Sequence, residues 1–273
     1  MHTSPLPEQQ SAGLILQQFS QGDSSSALSE LRQLVNDIHA AIPEKQRIGK
    51  GITWTLQRAA GLLVEECTEP RQMRELAGQI EAALPADDRL VGIPMILMAE
   101  YGVGDPLPAL TYFRGAANNP GWMGREFAQL AFRRMILPQR PLVFLFLEEM
   151  AQSTEPNQRR FCGETLRPVV ENQWLQKVPQ ASLAVLRHLF REPHPYPRTS
   201  VGNNLSDLSR RNPELIFAIV EELVSTGDAN SYWIAYRACR NLVKHSPKRV
   251  MDALRVDEYH YKDRNVSRDE IKD

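Results

Sequence analysis

The sequence predicts an all-α fold in which short antiparallel helices stack as a solenoid. Two observations predict it. Apolar residues recur every three or four positions along almost the whole chain, and one pattern of small and large apolar anchors returns four times at nearly constant spacing. Strand-like alternation is essentially absent.

Taken in order, residues 1–20 read as a flexible N-terminal segment without a clear apolar stripe. Residues 21–117 read as an N-terminal helical cap. It contains amphipathic stretches such as LSELRQLVNDIHAAI (28–42) and RQMRELAGQIEAAL (71–84), with a connecting helix at 107–116. The breaks carry turn chemistry suited to helix ends: Gly104-Asp105-Pro106, Asn119-Pro120-Gly121, Glu192-Pro193-His194-Pro195 and Thr226-Gly227-Asp228.

Residues 118–256 hold the repeats. GREFAQLAF, RRFCGETL, RTSVGNNL and YRACRNL align so that Phe132, Leu166, Leu205 and Leu242 are equivalent, each preceded four residues earlier by Ala128, Cys162, Val201 or Ala238. The large anchors stand 34 to 39 residues apart, the period of HEAT-like helix pairs. The expected architecture is therefore a right-handed superhelical solenoid of such antiparallel pairs. In a solenoid, equivalent surface positions line up as rows. One row, three residues before the small anchor, reads Arg125, Arg159, Arg198 and then Ala235; another, two after the large anchor, reads Arg134, Pro168, Asp207 and Lys244. The arginine row is either a basic ridge or a set of helix-capping and salt-bridging residues. Residues 257–273 form a polar tail.

Composition excludes several classes. The longest apolar runs, 91–99 and 142–147, fall far short of the roughly 18 residues needed to span a bilayer. The N-terminus lacks the basic and apolar regions of a secretory signal, so a cytoplasmic protein is expected. Cys67, Cys162 and Cys239 are scattered, and the six histidines show no metal-ligand spacing, so the cysteines are expected to be reduced and no metal is expected. GVGDPL (102–107) lacks the lysine and glycine of a phosphate cradle, and no Ser/His/Asp or Cys/His constellation stands out. The expectation is no cofactor.

The net charge of −1 conceals an asymmetry. From 120 to 255 there are 19 Lys and Arg against 13 Asp and Glu, a net of +6; the remainder carries 13 against 20, a net of −7. The basic part is where a polyanion would bind.

Four segments carry a resemblance to a known family: GREFAQLAF (124–132), EPNQRRFCGETLRP (155–168), YPRTSVGNNLSDLSRRNPEL (196–215) and YWIAYRACRNLVK (232–244). In order and pattern this half of the chain resembles the AlkC/AlkD family of HEAT-like-repeat DNA alkylation repair glycosylases, and it is closest to the AlkC branch. The third segment is the most specific, because a generic repeat requires neither Asn203-Asn204 nor Asp207 followed by Asn212-Pro213.

The resemblance implies hydrolysis of the N-glycosidic bond of cationic alkylated bases, of the N3-methyladenine type, in duplex DNA. Such a base leaves as a neutral molecule, so the enzyme must chiefly stabilise a sugar oxocarbenium and place a water, work suited to carboxylates. Glu126 and Asp207 fall where AlkC-like proteins place active-site acids, and Glu164 is a third candidate. Each has an ordinary alternative: a solvated acid at Glu126, a local cap or hydrogen bond at Asp207 and Glu164. Arg125, Arg159, Arg160, Arg167, Arg198, Arg237, Arg240 and Lys244 are candidate phosphate contacts. Trp122, Trp174 and Trp233 are candidates for stacking on the lesion, with core packing the competing role for Trp233. Duplex DNA is the expected partner of a monomer. A non-catalytic HEAT-like scaffold binding protein or DNA is the alternative.

Overall fold

The structure, a computed structural model, describes residues 7–48, 50–85 and 88–260. All its regular elements are helical. The chain divides into two compact units, residues 1–140 and 141–273.

Unit 1 contains α1 (Pro7–Ser20), α2 (Ser24–Ala41), α3 (Ile52–Glu66), α4 (Pro70–Ala83), α5 (Gly92–Gly104), α6 (Pro106–Ala116) and α7 (Trp122–Ile136). Its axis is α5, in which Ile93, Met95, Ile96 and Leu97 are all buried. A helix that is apolar all round belongs in the middle of a core, and α3, α4, α6 and α7 pack on it.

Two expectations are corrected here. Residues 7–20 are not a flexible segment: Ala12, Ile15 and Phe19 form a buried stripe that seats α1 on α2 and α3. The stripe is only three residues wide and is diluted by glutamines, which hides its period in the sequence. Residues 1–6 lie outside the described residues. In addition, α7, expected to open the repeat array, closes unit 1 by packing on α5 and α6.

Unit 2 contains α8 (Arg140–Ala151, from Pro141 onward), α9 (Pro156–Thr165), α10 (Pro179–Leu186), α11 (Pro195–Leu208), α12 (Pro213–Ser225), α13 (Ala229–Leu242) and α14 (Pro247–Leu254), with a 3-10 segment at Val170–Gln176. Six of these helices, α8 to α12 and α14, have proline in the first turn, where a missing N–H leaves no bond unmade. Helix α13 begins instead on Asp228, whose carboxylate accepts from the Ser231 amide at 2.8 Å. Gly227 before it holds φ +67°, a conformation that glycine adopts without strain.

All eight anchors named from the sequence are buried: Ala128, Phe132, Cys162, Leu166, Val201, Leu205, Ala238 and Leu242. Helices α9, α11 and α13 lie side by side as one layer, and α12 packs on α13 and α14 behind it. Polar bonds between successive pairs join residues about one repeat apart: Arg159 to Glu192, Glu164 to Ser200, Arg237 to Asn203 and Asn241 to Ser206. Glycines set the closeness of this layer. A Cβ on Gly163 would stand 3.0 Å from the Ser200 Cβ, and one on Gly202 would stand 2.8 Å from the Arg237 Cβ. Each glycine directly follows a small anchor, so the repeat itself encodes the approach.

The polar tail begins docked. Tyr259 packs on Tyr236 with ring centroids 4.5 Å apart, and its hydroxyl donates to the Tyr236 carbonyl at 2.8 Å. The rest of the tail, 261–273, lies outside the described residues. No helix among the described residues is long and apolar enough to cross a membrane.

Candidate active site

Helix α11 occupies the middle of its layer, yet Ser200, Asn204, Ser206 and Asp207 are buried on it. Buried polar groups require partners, and here the partners lie on the neighbouring helices. Asn204 Nδ2 donates to the Gly163 carbonyl at 2.9 Å, and Ser200 Oγ donates to Glu164 Oε1 at 2.7 Å. From the other side, Asn241 donates to the Ser206 carbonyl at 2.8 Å.

Glu164 and Asp207 come together through Arg167. Its Nη1 donates to Glu164 Oε2 at 3.2 Å, while its Nε and Nη2 donate to Asp207 Oδ2 at 2.9 and 2.6 Å. The carboxylate-bearing side chains are only 9% and 11% exposed, against 28% for Arg167. Arg210 approaches the remaining oxygen, Asp207 Oδ1, at 3.4 Å from an exposed position. Burial works against the Arg167 charge, but the two carboxylates outweigh it and hold the guanidinium protonated above its ordinary range. The backbone is braced as well: Gln176 donates to the Asp207 carbonyl at 2.9 Å, and Asn212 donates to the Gln176 carbonyl at 2.9 Å. Glu164, Arg167 and Asp207 carry two acidic groups against one partly buried guanidinium, with Arg210 adding a second cation from the surface. Such a cluster can stabilise a cation and orient a water.

Glu126 stands on α7, in unit 1, half-exposed, and accepts from Gln129 one turn later. The structure thus brings Glu164 and Asp207 into one cluster, with Glu126 on the other unit.

The arginine row makes packing bonds, the second of the two roles its sequence pattern left open. Arg125 Nη1 donates to the carbonyls of Asn119 and Pro120 at 2.7 and 2.9 Å, and Arg159 Nη1 does the same to Ser153 and Thr154 at 2.8 and 2.9 Å. In both cases the arginine ties down the two residues that lie five and six positions before it. Arg159 also forms a two-pronged bond to buried Glu192 at 2.7 and 2.9 Å. Arg198 is buried, donates to Asn230 and lies over the Trp233 ring at 4.8 Å. Arg160, outside the row, is likewise buried, with its guanidinium 4.3 Å over the Tyr196 ring.

Arg237 and Arg240 differ. Both reach Asn203 Oδ1, at 2.9 and 2.8 Å, and both remain partly exposed on α13, with Lys244 exposed just beyond its end. Of the tryptophans, Trp122 is 62% exposed at the start of α7 and Trp174 is half-buried in the 3-10 segment. Trp233 is flanked by the guanidinium groups of Arg198 and Arg237, at 4.8 and 5.4 Å, so stacking on a lesion would require displacing one of them.

No thiol here is poised as a nucleophile. Burial pushes Cys162 far up and Cys239 up to about 12, and burial with the Glu66 charge pushes Cys67 up to about 11. Among the described residues no His, Cys, Asp and Glu cluster could hold a metal ion.

Sequence reasoning missed the roles of Ser200, Gln176 and Asn203. The available signal was the run of polar residues along α11 at positions facing neighbouring repeats, a run that only a bonded interior tolerates.

Comparison with known proteins adds three findings. No family model matches. An uncharacterized protein of Bacillus subtilis, YhaZ, is 30% identical over 125 residues, which is 41% of this chain and 34% of that one. The structure of the Pseudomonas fluorescens alkylpurine DNA glycosylase AlkC, bound to DNA containing an abasic site analog, superposes with a TM-score of 0.57 at 19% identity. The likeness is one of fold. It covers 82% of this chain and 65% of AlkC, so the chain spans about a third of the length of the curated relative and about two thirds of the solved structure.

Proposed function

We propose that this protein is a DNA glycosylase that hydrolyses the N-glycosidic bond of cationic alkylated bases, of the N3-methyladenine type, in duplex DNA. The observation that carries the reading is the cluster of Glu164, Arg167 and Asp207: two nearly buried carboxylates sharing one guanidinium within a fold like that of AlkC.

The chemistry fits this cluster. The C1′–N bond breaks with its electron pair going to the base, which departs neutral; positive charge develops on the sugar. A carboxylate of Asp207 or Glu164 lowers the energy of that oxocarbenium, and a water held by the carboxylate forms the new C1′–O bond and gives up its proton. Glu126, on unit 1, is a separate candidate acid and is tested by itself. Arg237, Arg240 and Lys244 on and beyond α13 hold the phosphodiester backbone by charge, without reading sequence. The reaction calls for no organic cofactor, and the protein works as a monomer.

A scaffold role has one observation in its favour: the same ion pair and hydrogen bond tie α9 and the residues just after it to α11, and so would brace a purely structural repeat. The test separates the two. Purified protein is incubated with methylated duplex DNA, and released bases are measured for wild type, Glu126→Gln, Glu164→Gln and Asp207→Asn. Release by wild type that falls about a hundredfold in one variant, roughly 2.7 kcal/mol of transition-state stabilisation, is the expected result. No release by folded wild type, with all four proteins binding DNA alike, leaves the scaffold.

A further inference from the structure

A surface cavity of about 440 Å³ opens between the α11–α12 turn and the α13–α14 turn of unit 2. Its lining includes Arg210, Lys244 and His245, with the hydroxyl-bearing Ser209 and Ser246, and one acid, Glu214. That acid is already neutralised: Arg249 holds it with a two-pronged bond at 2.8 and 2.9 Å, which keeps the Glu214 carboxyl below its usual range. Lys244 directs one proton to Asn241 Oδ1 at 3.2 Å and remains exposed, and the Arg210 side chain is 63% exposed. The cavity therefore presents to solvent Lys244, an Arg210 whose side chain is largely exposed although one edge of its guanidinium reaches Asp207 at 3.4 Å, and a histidine.

Its position is as informative as its charge. Lys244 stands two residues after the Leu242 anchor, as Asp207 stands two after Leu205, so the lysine is the repeat equivalent of the acid. Neighbouring packed helices lie about 8–10 Å apart, which puts this ammonium roughly one helix spacing from the acid cluster on the same face. Arg210 joins the two places, since it lines the cavity and reaches Asp207 Oδ1 at 3.4 Å.

We infer that this cavity binds a backbone phosphodiester of duplex DNA, gripped between Arg210 and Lys244 with His245 at its rim. The choice of DNA over another polyanion rests on the proposed function; the anion chemistry rests on the lining alone. A phosphate oxygen takes charge-assisted bonds from both cations, and the Ser246 hydroxyl adds one more donor, the Ser209 hydroxyl being committed to the Ser206 carbonyl. Seated there, the strand carries its neighbouring sugar toward Asp207.

The test is the salt dependence of binding to a short unmodified DNA duplex, read by fluorescence anisotropy, for wild type, Arg210→Ala, Lys244→Ala and the double variant. Arg187→Ala removes a cation that lies elsewhere in the unit, paired with Glu222, and serves as the control. Each cavity substitution is expected to lower the slope of log K against log salt by about 0.9, the double variant by about twice that, and the control by nothing. Inorganic phosphate at constant ionic strength is expected to weaken binding by wild type more than by the double variant. Unchanged slopes in the double variant overturn the inference, as does failure of wild type to bind DNA. If phosphate raises the melting temperature of wild type but not of the double variant while DNA slopes stay equal, the cavity takes free anions, and the assignment to DNA falls. Base release, measured separately, keeps the readings apart. Release with unchanged slopes sinks the cavity alone, and changed slopes without release sink the glycosylase alone.

Discussion

Replacing Arg167 with methionine removes the guanidinium that Glu164 and Asp207 share while preserving much of its stem. Three bonds disappear, two to Asp207 at 2.9 and 2.6 Å and one to Glu164 at 3.2 Å. Breaking a fully buried ion pair by removing one partner costs about 3–5 kcal/mol. Here the arginine is 28% exposed, Asp207 keeps Arg210 and Glu164 keeps Ser200, so the expected loss is about 2–3 kcal/mol. For a unit of this size that corresponds to a fall of roughly 5–10 °C in melting temperature. Urea unfolding of Arg167→Met, Asp207→Asn and the double variant isolates the bridge, because the double variant should lose less than the sum of the singles by about 1.5 kcal/mol. Losses that add to within about 0.5 kcal/mol would mean that the bridge contributes nothing in solution, and the placement of both acids would lose its physical basis.

Two further predictions concern the frame of the site. Gly202→Ala sets a methyl 2.8 Å from the Arg237 Cβ, at the root of a side chain that cannot swing away, so α11 and α13 must part; we expect a destabilisation of about 1–3 kcal/mol in urea, whereas the same change at Gly104, with open space around it, should cost no stability. Asp228 is held below the usual carboxylate range, first by the Ser231 amide, so its cap contributes stability above the unfolded value of about 3.9 and loses it as pH falls through the lower folded value; Asp228→Asn, which still accepts but cannot titrate, should flatten melting temperature against pH below about 4.

The repeat was legible because its anchors alternate small and large at fixed offsets, and burial of Cys162, Val201 and Ala238 follows directly from helix packing at those offsets. The same regularity could not by itself separate the two roles open to the charged row. Arg125 and Arg159 each tie down the two carbonyls five and six positions before them, and a recurring structural bond gives the same sequence signature as a recurring surface. Helix α1 escaped notice because three apolar residues suffice to seat it. The acids Glu164 and Asp207 and the residue Arg167 could be named from their segments, but not the bond that joins them, since a contact that spans 40 positions leaves no local trace. Gln176 was invisible for a similar reason: its work is done on a backbone carbonyl, which every residue possesses.

Helix α11 is bonded on one flank to α9 and on the other to α13, and α14 closes the described layer behind. In a stack held by nearest neighbours, opening proceeds from an end inward. Fraying of α14 leaves every bond to Glu164, Arg167 and Asp207 in place, and loss of α13 would release Asn203 and Ser206 before it touched the acids. Among the described residues, the bonds that hold the acid cluster therefore lie on α9, α11 and the segment between them, one helix removed from α14.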